Sequence, residues 1–182
     1  MGRFLRMRAS RAVPPEVTTA LGLTRADRIL AWSPLVGGGA AVATVDGLRV
    51  LTPRGTPVVG SWVEVDHAAW DADSRTVAVW WTGKRVATPL EVEDDSRLPE
   101  VIRERVQASV LLTGTVEVPG GRQVRVALRR SHDGTVSAQA LPPPGVRLDD
   151  PGVAERVSAA VAELRAEAGI DVEPGTLSLR ER

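Results

Sequence analysis

The sequence predicts an α+β protein dominated by antiparallel strands. Short β-prone segments follow one another with turn residues between them, and two stretches switch to helical spacing. Strands and helices do not alternate regularly, which argues against a doubly wound sheet or a (β/α)8 barrel. The expected order is several antiparallel strands, an amphipathic helix, three further strands and a last helix.

Residues 1–12 read as a flexible basic arm, ended by Pro14 and Pro15, and residues 16–23 as a short helical turn closed by Gly22. Residues 28–32 form a first strand that Ser33-Pro34 disturbs, followed by a Gly37-Gly38-Gly39 loop. Residues 40–45 and 48–52 flank Asp46-Gly47, a pair that favours a type I′ hairpin with positive φ at both positions. Over residues 62–70 an alternation of period two puts Val63, Val65, His67 and Ala69 on one face. Trp62, Glu64, Asp66 and Trp70 fall on the other. Residues 76–81 are a strongly β-prone strand, and 85–92 return as another, bent at Pro89.

The period then changes. Leu98, Val101, Ile102, Val106 and Val110 recur at helical spacing within 97–111, with Glu100, Arg103, Glu104 and Gln107 opposite. Ser96 or Leu98 is the expected N-cap. Segments 112–118, 123–130 and 136–141 make a meander, its second turn carrying Asp133-Gly134. Asp150 caps a helix over 151–168 with Pro151 in its first turn, while Gly169 and Ile170 suit a Schellman ending. In the tail, 171–182, Leu177-Ser178-Leu179 offers a small edge strand.

Composition narrows the function. The 23 basic and 23 acidic residues balance, so no overall field attracts nucleic acid or an anionic bilayer. Lys84 is the only lysine among the basic residues, a bias read as nucleotide composition. Cysteine is absent, which excludes disulfides, thiolate metal sites and cysteine nucleophiles. No apolar run suits a membrane helix, and no apolar region follows the basic start, so the expected location is cytoplasmic. No cofactor is expected.

Four features invite a chemical reading. The glycine triplet lacks the Lys-Ser/Thr ending of a phosphate loop and precedes a strand, so loop freedom explains it better. Asp66-His67 suggests a general base or ligand pocket, but period two sends the two side chains to opposite sides. A structural histidine is favoured, although His67 is the best single candidate for a functional group. Trp62, Trp70 and Trp80 form either a stacking face, interleaved with acidic groups, or the core; the core is favoured in a chain with one Phe and no Tyr. Arg122, Arg125, Arg129 and Arg130 crowd one hairpin, with Arg125 and Arg129 on an outward face that could meet phosphate or an acidic partner. A solvated edge is the favoured reading.

Residues 28–32, the Trp62-Val63-Glu64-Val65-Asp66-His67-Ala68-Ala69-Trp70 segment and the helix from Leu98 to Val110 together resemble actinobacterial proteins. The block from Leu23 to Leu112 resembles bacterial pleckstrin-homology-like domains. That resemblance implies an antiparallel β-barrel, or strongly bent sheet, over 13–112 and capped by the 97–111 helix, with 113–170 as a meander plus helix. It does not carry phosphoinositide binding with it, since Ser33-Pro34-Leu35-Val36-Gly37-Gly38-Gly39 holds no basic residue. The leading expectation is a non-enzymatic interaction or scaffold module whose partner is another protein or a second copy. Phosphoinositide and nucleic acid are disfavoured. The rival is a small-molecule binder or enzyme using Trp62, Asp66, His67 and Trp70. A third reading is anion, nucleic-acid or membrane-surface contact through the arm and Arg122, Arg125 and Arg129.

Overall fold

The structure is a computed structural model that describes residues 12–93 and 96–170. Its first four strands, β1 (Ile29–Pro34), β2 (Ala40–Thr44), β3 (Gly47–Leu51) and β4 (Pro57–Ser61), form one antiparallel meander in sequence order. All five residues of β2 are buried, because both of its faces are covered. Ala41 and Ala43 join the main core, while Ala40 and Val42 pack with Val17 of the short helix α1 (Pro15–Ala20) and with Leu21 just after it. This two-sided burial explains why β2 reads as a continuous apolar run. The strand β1 continues through Ser33 and Pro34, which pair with Ala41 and Ala40.

The β2–β3 connection is tight, yet neither Asp46 nor Gly47 takes positive φ, so the expected I′ geometry is not adopted. Thr44 Oγ1 instead accepts from Gly47 N–H and donates to Gly47 O, both at 3.1 Å. Glycine is required here for another reason: a Cβ at Gly47 would stand 2.1 Å from Gly60 O on the neighbouring strand.

A 3₁₀ turn, Trp62–Glu64, leads into β5 (Val65–Asp71), β6 (Thr76–Trp81) and β7 (Thr88–Glu91), a second antiparallel meander. The two sheets meet at an isolated bridge between Leu35 and Val92. Among the described residues no ladder joins β4 to β5, so the sheets do not close into a hydrogen-bonded barrel. Helix α2 (Leu98–Ser109) follows, with Ser96 Oγ accepting from Leu98 N–H and donating to Trp32 O. Its Leu98, Val101, Ile102 and Val106 share one core with Leu48, Val50, Val65, Val77, Val79 and Leu90 from both sheets.

The third meander, β8 (Val110–Val118), β9 (Arg122–Arg130) and β10 (Val136–Leu141), has its own core under α3 (Pro151–Glu167). Both ends of α3 follow the sequence signals. Asp150 accepts from Gly152 N–H at 3.0 Å. Gly169, at φ 64°, donates to Ala166 O, and Ile170 donates to Arg165 O, as in a Schellman ending. The chain is thus an α+β protein with three antiparallel sheets. No helix among the described residues is long and apolar enough to cross a membrane. The basic arm, Asp94, Asp95 and the 171–182 tail lie outside the described residues.

Candidate functional site

The expected continuous strand over 62–70 divides into two pieces, and this decides where its side chains go. Trp62 belongs to the 3₁₀ turn, whose start is closed by Glu64 Oε2 accepting from Ser61 N–H at 2.9 Å. The Trp62 indole is buried and donates to Thr44 O at 3.0 Å. It is core, and it does not share a face with Trp70.

A β-bulge then interrupts β5. Val65 pairs with Trp81 and His67 pairs with Trp80, leaving Asp66 as the extra residue. The bulge cancels the strict alternation that would separate Asp66 from His67. Their side chains meet, with His67 Nδ1 3.0 Å from Asp66 Oδ2. His67 stacks on Trp80 with ring centroids 4.3 Å apart and planes 11° from parallel. Its side chain is half exposed, while that of Asp66 is buried.

The arginines expected on an outward face belong to the same junction. Arg125 reaches Asp66 Oδ1 at 3.4 Å and stays largely exposed. Arg129 does not face solvent as the strand alternation suggested. It is 2% exposed, because on the face of β9 opposite α3 it reaches the 3₁₀ turn, Asp66 of β5 and the end of α2. Its guanidinium donates to Ser109 Oγ at 2.8 Å from Nη2 and 3.2 Å from Nε. Longer contacts reach Trp62 O at 3.3 Å, Asp66 O and Gln139 Oε1 at 3.4 Å, and Val106 O at 3.5 Å. Burial pulls the Arg129 pKa below its ordinary value, the Asp66 carboxylate opposes that shift and Arg125 adds to it. A guanidinium remains charged even so, and its donors are consumed by backbone and side-chain acceptors. Gln139 Nε2 donates to Val63 O beside it. Arg122 is engaged elsewhere, donating to Pro144 O. The three arginines therefore make no common patch.

The Asp66–His67 pair has the form of an oriented general base, with a carboxylate fixing one ring nitrogen. Three grooves on the surface, the one beside β5 and α2 among them, are not lined by His67. Among the described residues no cluster of three or more His, Asp or Glu side chains could hold a metal ion. The pair's other contacts, Trp80 and Arg125, tie it to the junction between sheets.

A groove of about 760 Å³ opens between the far half of β5 and the first half of α2. Ala68, Ala69, Trp70 and Ala72 form one wall, and Ser96, Pro99, Glu100, Arg103 and Glu104 the other. Successive strand residues point to opposite faces, so a groove touched by Ala68, Ala69 and Trp70 in turn meets β5 along its edge. Among the described residues that edge is unpaired, since β5 bonds β6 alone. Trp70 is 47% exposed there, whereas Trp62 and Trp81 are buried. Arg75 and Arg97 complete the rim. Arg75 holds a left-handed φ of 49°, costly for a side-chain-bearing residue and found where a turn is over-determined by its surroundings.

Of the residues expected in a site, Asp66 and His67 come together with Arg125 and Arg129, Trp70 stands in the groove, and Trp62 and Arg122 stand apart. Arg75, Arg97, Glu100, Arg103 and Glu104 were not expected to line a groove. Helical spacing marks the α2 residues only as a solvated face, and nothing in the local sequence says that a strand edge lies opposite. The fold and site define an α+β protein whose second sheet leaves an edge open beside a helix. No family model, curated protein or solved structure matches the chain.

Proposed function

We propose that this chain is a non-enzymatic interaction module that captures an extended segment of a partner protein along the open edge of β5. The observation that carries the reading is the groove meeting that unpaired edge with an exposed tryptophan inside it. Edge strands are templates for pairing: main-chain hydrogen bonds supply affinity and side-chain pockets supply selectivity. Trp70 offers an apolar platform for an anchor residue, and tryptophan is a frequent hot spot at interfaces. Arg75, Arg97 and Arg103 outnumber Glu100 and Glu104 on the rim, which favours acidic residues beside the anchor.

A four-stranded meander, a three-stranded meander and a helix in that order support kinship with pleckstrin-homology-like domains of bacteria. The single bridge between Leu35 and Val92 suits a bent, partly open version of such a barrel. The first hairpin loop, without basic residues, speaks against phosphoinositide at that position. The balanced charge and the consumed Arg129 donors speak against nucleic acid, and a cytoplasmic setting accords with this reading.

The test is peptide selection from a displayed random library on the full chain, followed by affinity measurement on variants. Trp70→Ala is expected to weaken a selected peptide by about tenfold or more, the scale of an interface hot spot, while melting at the wild-type temperature. Bound peptide should also slow amide exchange over residues 68–72. Peptides that bind Trp70→Ala as well as wild type and protect no β5 amide would overturn the proposal.

A further inference from the structure

Both walls of the groove run on to the same side chain. The wall from β5 reaches Asp66, whose carbonyl oxygen accepts from Arg129 Nη1 at 3.4 Å. The α2 wall reaches Val106 and Ser109, which accept from Arg129 Nη2 at 3.5 and 2.8 Å. Val106 O belongs to the last turn of α2, where carbonyls lack backbone partners and a cation is favoured by the helix dipole; it also accepts from Ser109 Oγ at 2.7 Å. The bonds to Ser109 are the short ones; the carbonyl contacts lie at the outer limit of a hydrogen bond and are strengthened by the guanidinium charge. Arg129 itself is carried by β9, in the third sheet. Its position is set by Gln139, which accepts from Nη1 while donating to Val63 O in the 3₁₀ turn that precedes β5.

We infer that Arg129 is the positioning residue that fixes the separation of β5 and α2, so that docking of the third sheet sets the width of the groove. The inference rests on the groove being the binding site, and it assigns the β8–β10 block a regulatory part in that site. A planar guanidinium donates in several fixed directions at once and can span strand and helix together. A lysine ammonium keeps the charge but not the span. With lysine at this position, the closed end of the groove loses its common polar anchor, and the separation of the two walls is held by their shared apolar core alone.

Hydrogen exchange on the full chain tests this without any ligand. In Arg129→Lys the amides of residues 65–72 and 98–109 should exchange about tenfold faster or more, with those of residues 29–51 nearly unchanged, as expected for local opening. Ser109→Ala removes the helix-side hydroxyl, which accepts from Arg129 and itself donates to Val106 O at 2.7 Å, and keeps the buried charge, so it decides the matter if the lysine variant does not fold. Faster exchange should then be confined to the last turn of α2. Acceleration spread evenly over the chain, or none in either wall, would overturn the inference.

A peptide selected on the wild-type chain supplies the second arm. Its affinity should fall severalfold in Arg129→Lys, a loss well within the range of single interface substitutions. Unchanged affinity in that variant, beside lost affinity in Trp70→Ala, overturns the role of Arg129 and leaves the groove standing. Absence of any peptide that binds wild type defeats the groove reading alone, because the exchange pattern still decides whether Arg129 couples the walls.

Discussion

Thr82 follows Trp81 at the end of β6, and its hydroxyl oxygen is buried without a hydrogen-bond partner, the one such side-chain atom among the described residues. An unpartnered buried hydroxyl costs about 1–3 kcal/mol relative to an apolar group of the same shape. Thr82→Val is therefore expected to stabilise the protein by about 1 kcal/mol, read as a higher denaturation midpoint with an unchanged slope. A lower midpoint would mean that the hydroxyl has a partner in solution. Nothing in the local sequence distinguishes Thr82 from Thr88, whose hydroxyl accepts from the Trp81 indole at 3.0 Å. The same limit applies to Arg125 and Arg129. Their spacing correctly places them on one face of a strand, but burial of one and exposure of the other depends on how far the second layer overlaps that face.

Connections between elements depend on polar anchors whose strength varies with pH. Asp27, in the link from α1 to β1, accepts from Thr24 N–H and Thr24 Oγ1 at 2.8 Å and from Arg49 of β3 at 2.7 Å. The backbone and side-chain hydrogen bonds from Thr24, joined by the Arg49 charge, hold its carboxyl below the ordinary carboxylate value. A folded-state pKa below the unfolded one contributes stability above the unfolded pKa and loses it as pH falls through the folded value. Melting temperature should thus drop below about pH 4, and Asp27→Asn should flatten that drop while lowering stability at neutral pH. An acid limb identical in the variant would rule out the linkage. At the same scale, element order, both caps of α3 and the α2 stripe were legible because they rest on contacts within a few residues. The bulge at Asp66 was not legible, since it inserts one residue without breaking the apolar alternation on either side. One inserted residue moved His67 onto the side of Asp66, while the 3₁₀ turn before it took Trp62 out of the strand that carries Trp70.

At the scale of the whole molecule, the main core and the core under α3 are joined through Arg129 and Gln139. All five tryptophans precede α2, so indole fluorescence reports the first two sheets alone, whereas far-ultraviolet circular dichroism reports every element. Because separation would strand a buried cation and several carbonyls, the two signals should unfold together in wild type. In Arg129→Met the neutral side chain satisfies none of these acceptors. Stability should fall by about 3 kcal/mol, with the two transitions drawing apart. Coincident transitions at an unshifted midpoint would show that the cores are coupled by other means. Sequence alone determined the class of fold, the position of the helices and turns, and the absence of thiol chemistry, because period, capping and composition are local properties of the chain. Only the tertiary structure decided which tryptophan is exposed, that Arg129 is buried, and that a free strand edge faces α2. Those facts depend on which surfaces are brought together across distant stretches of sequence, and no residue carries that information by itself.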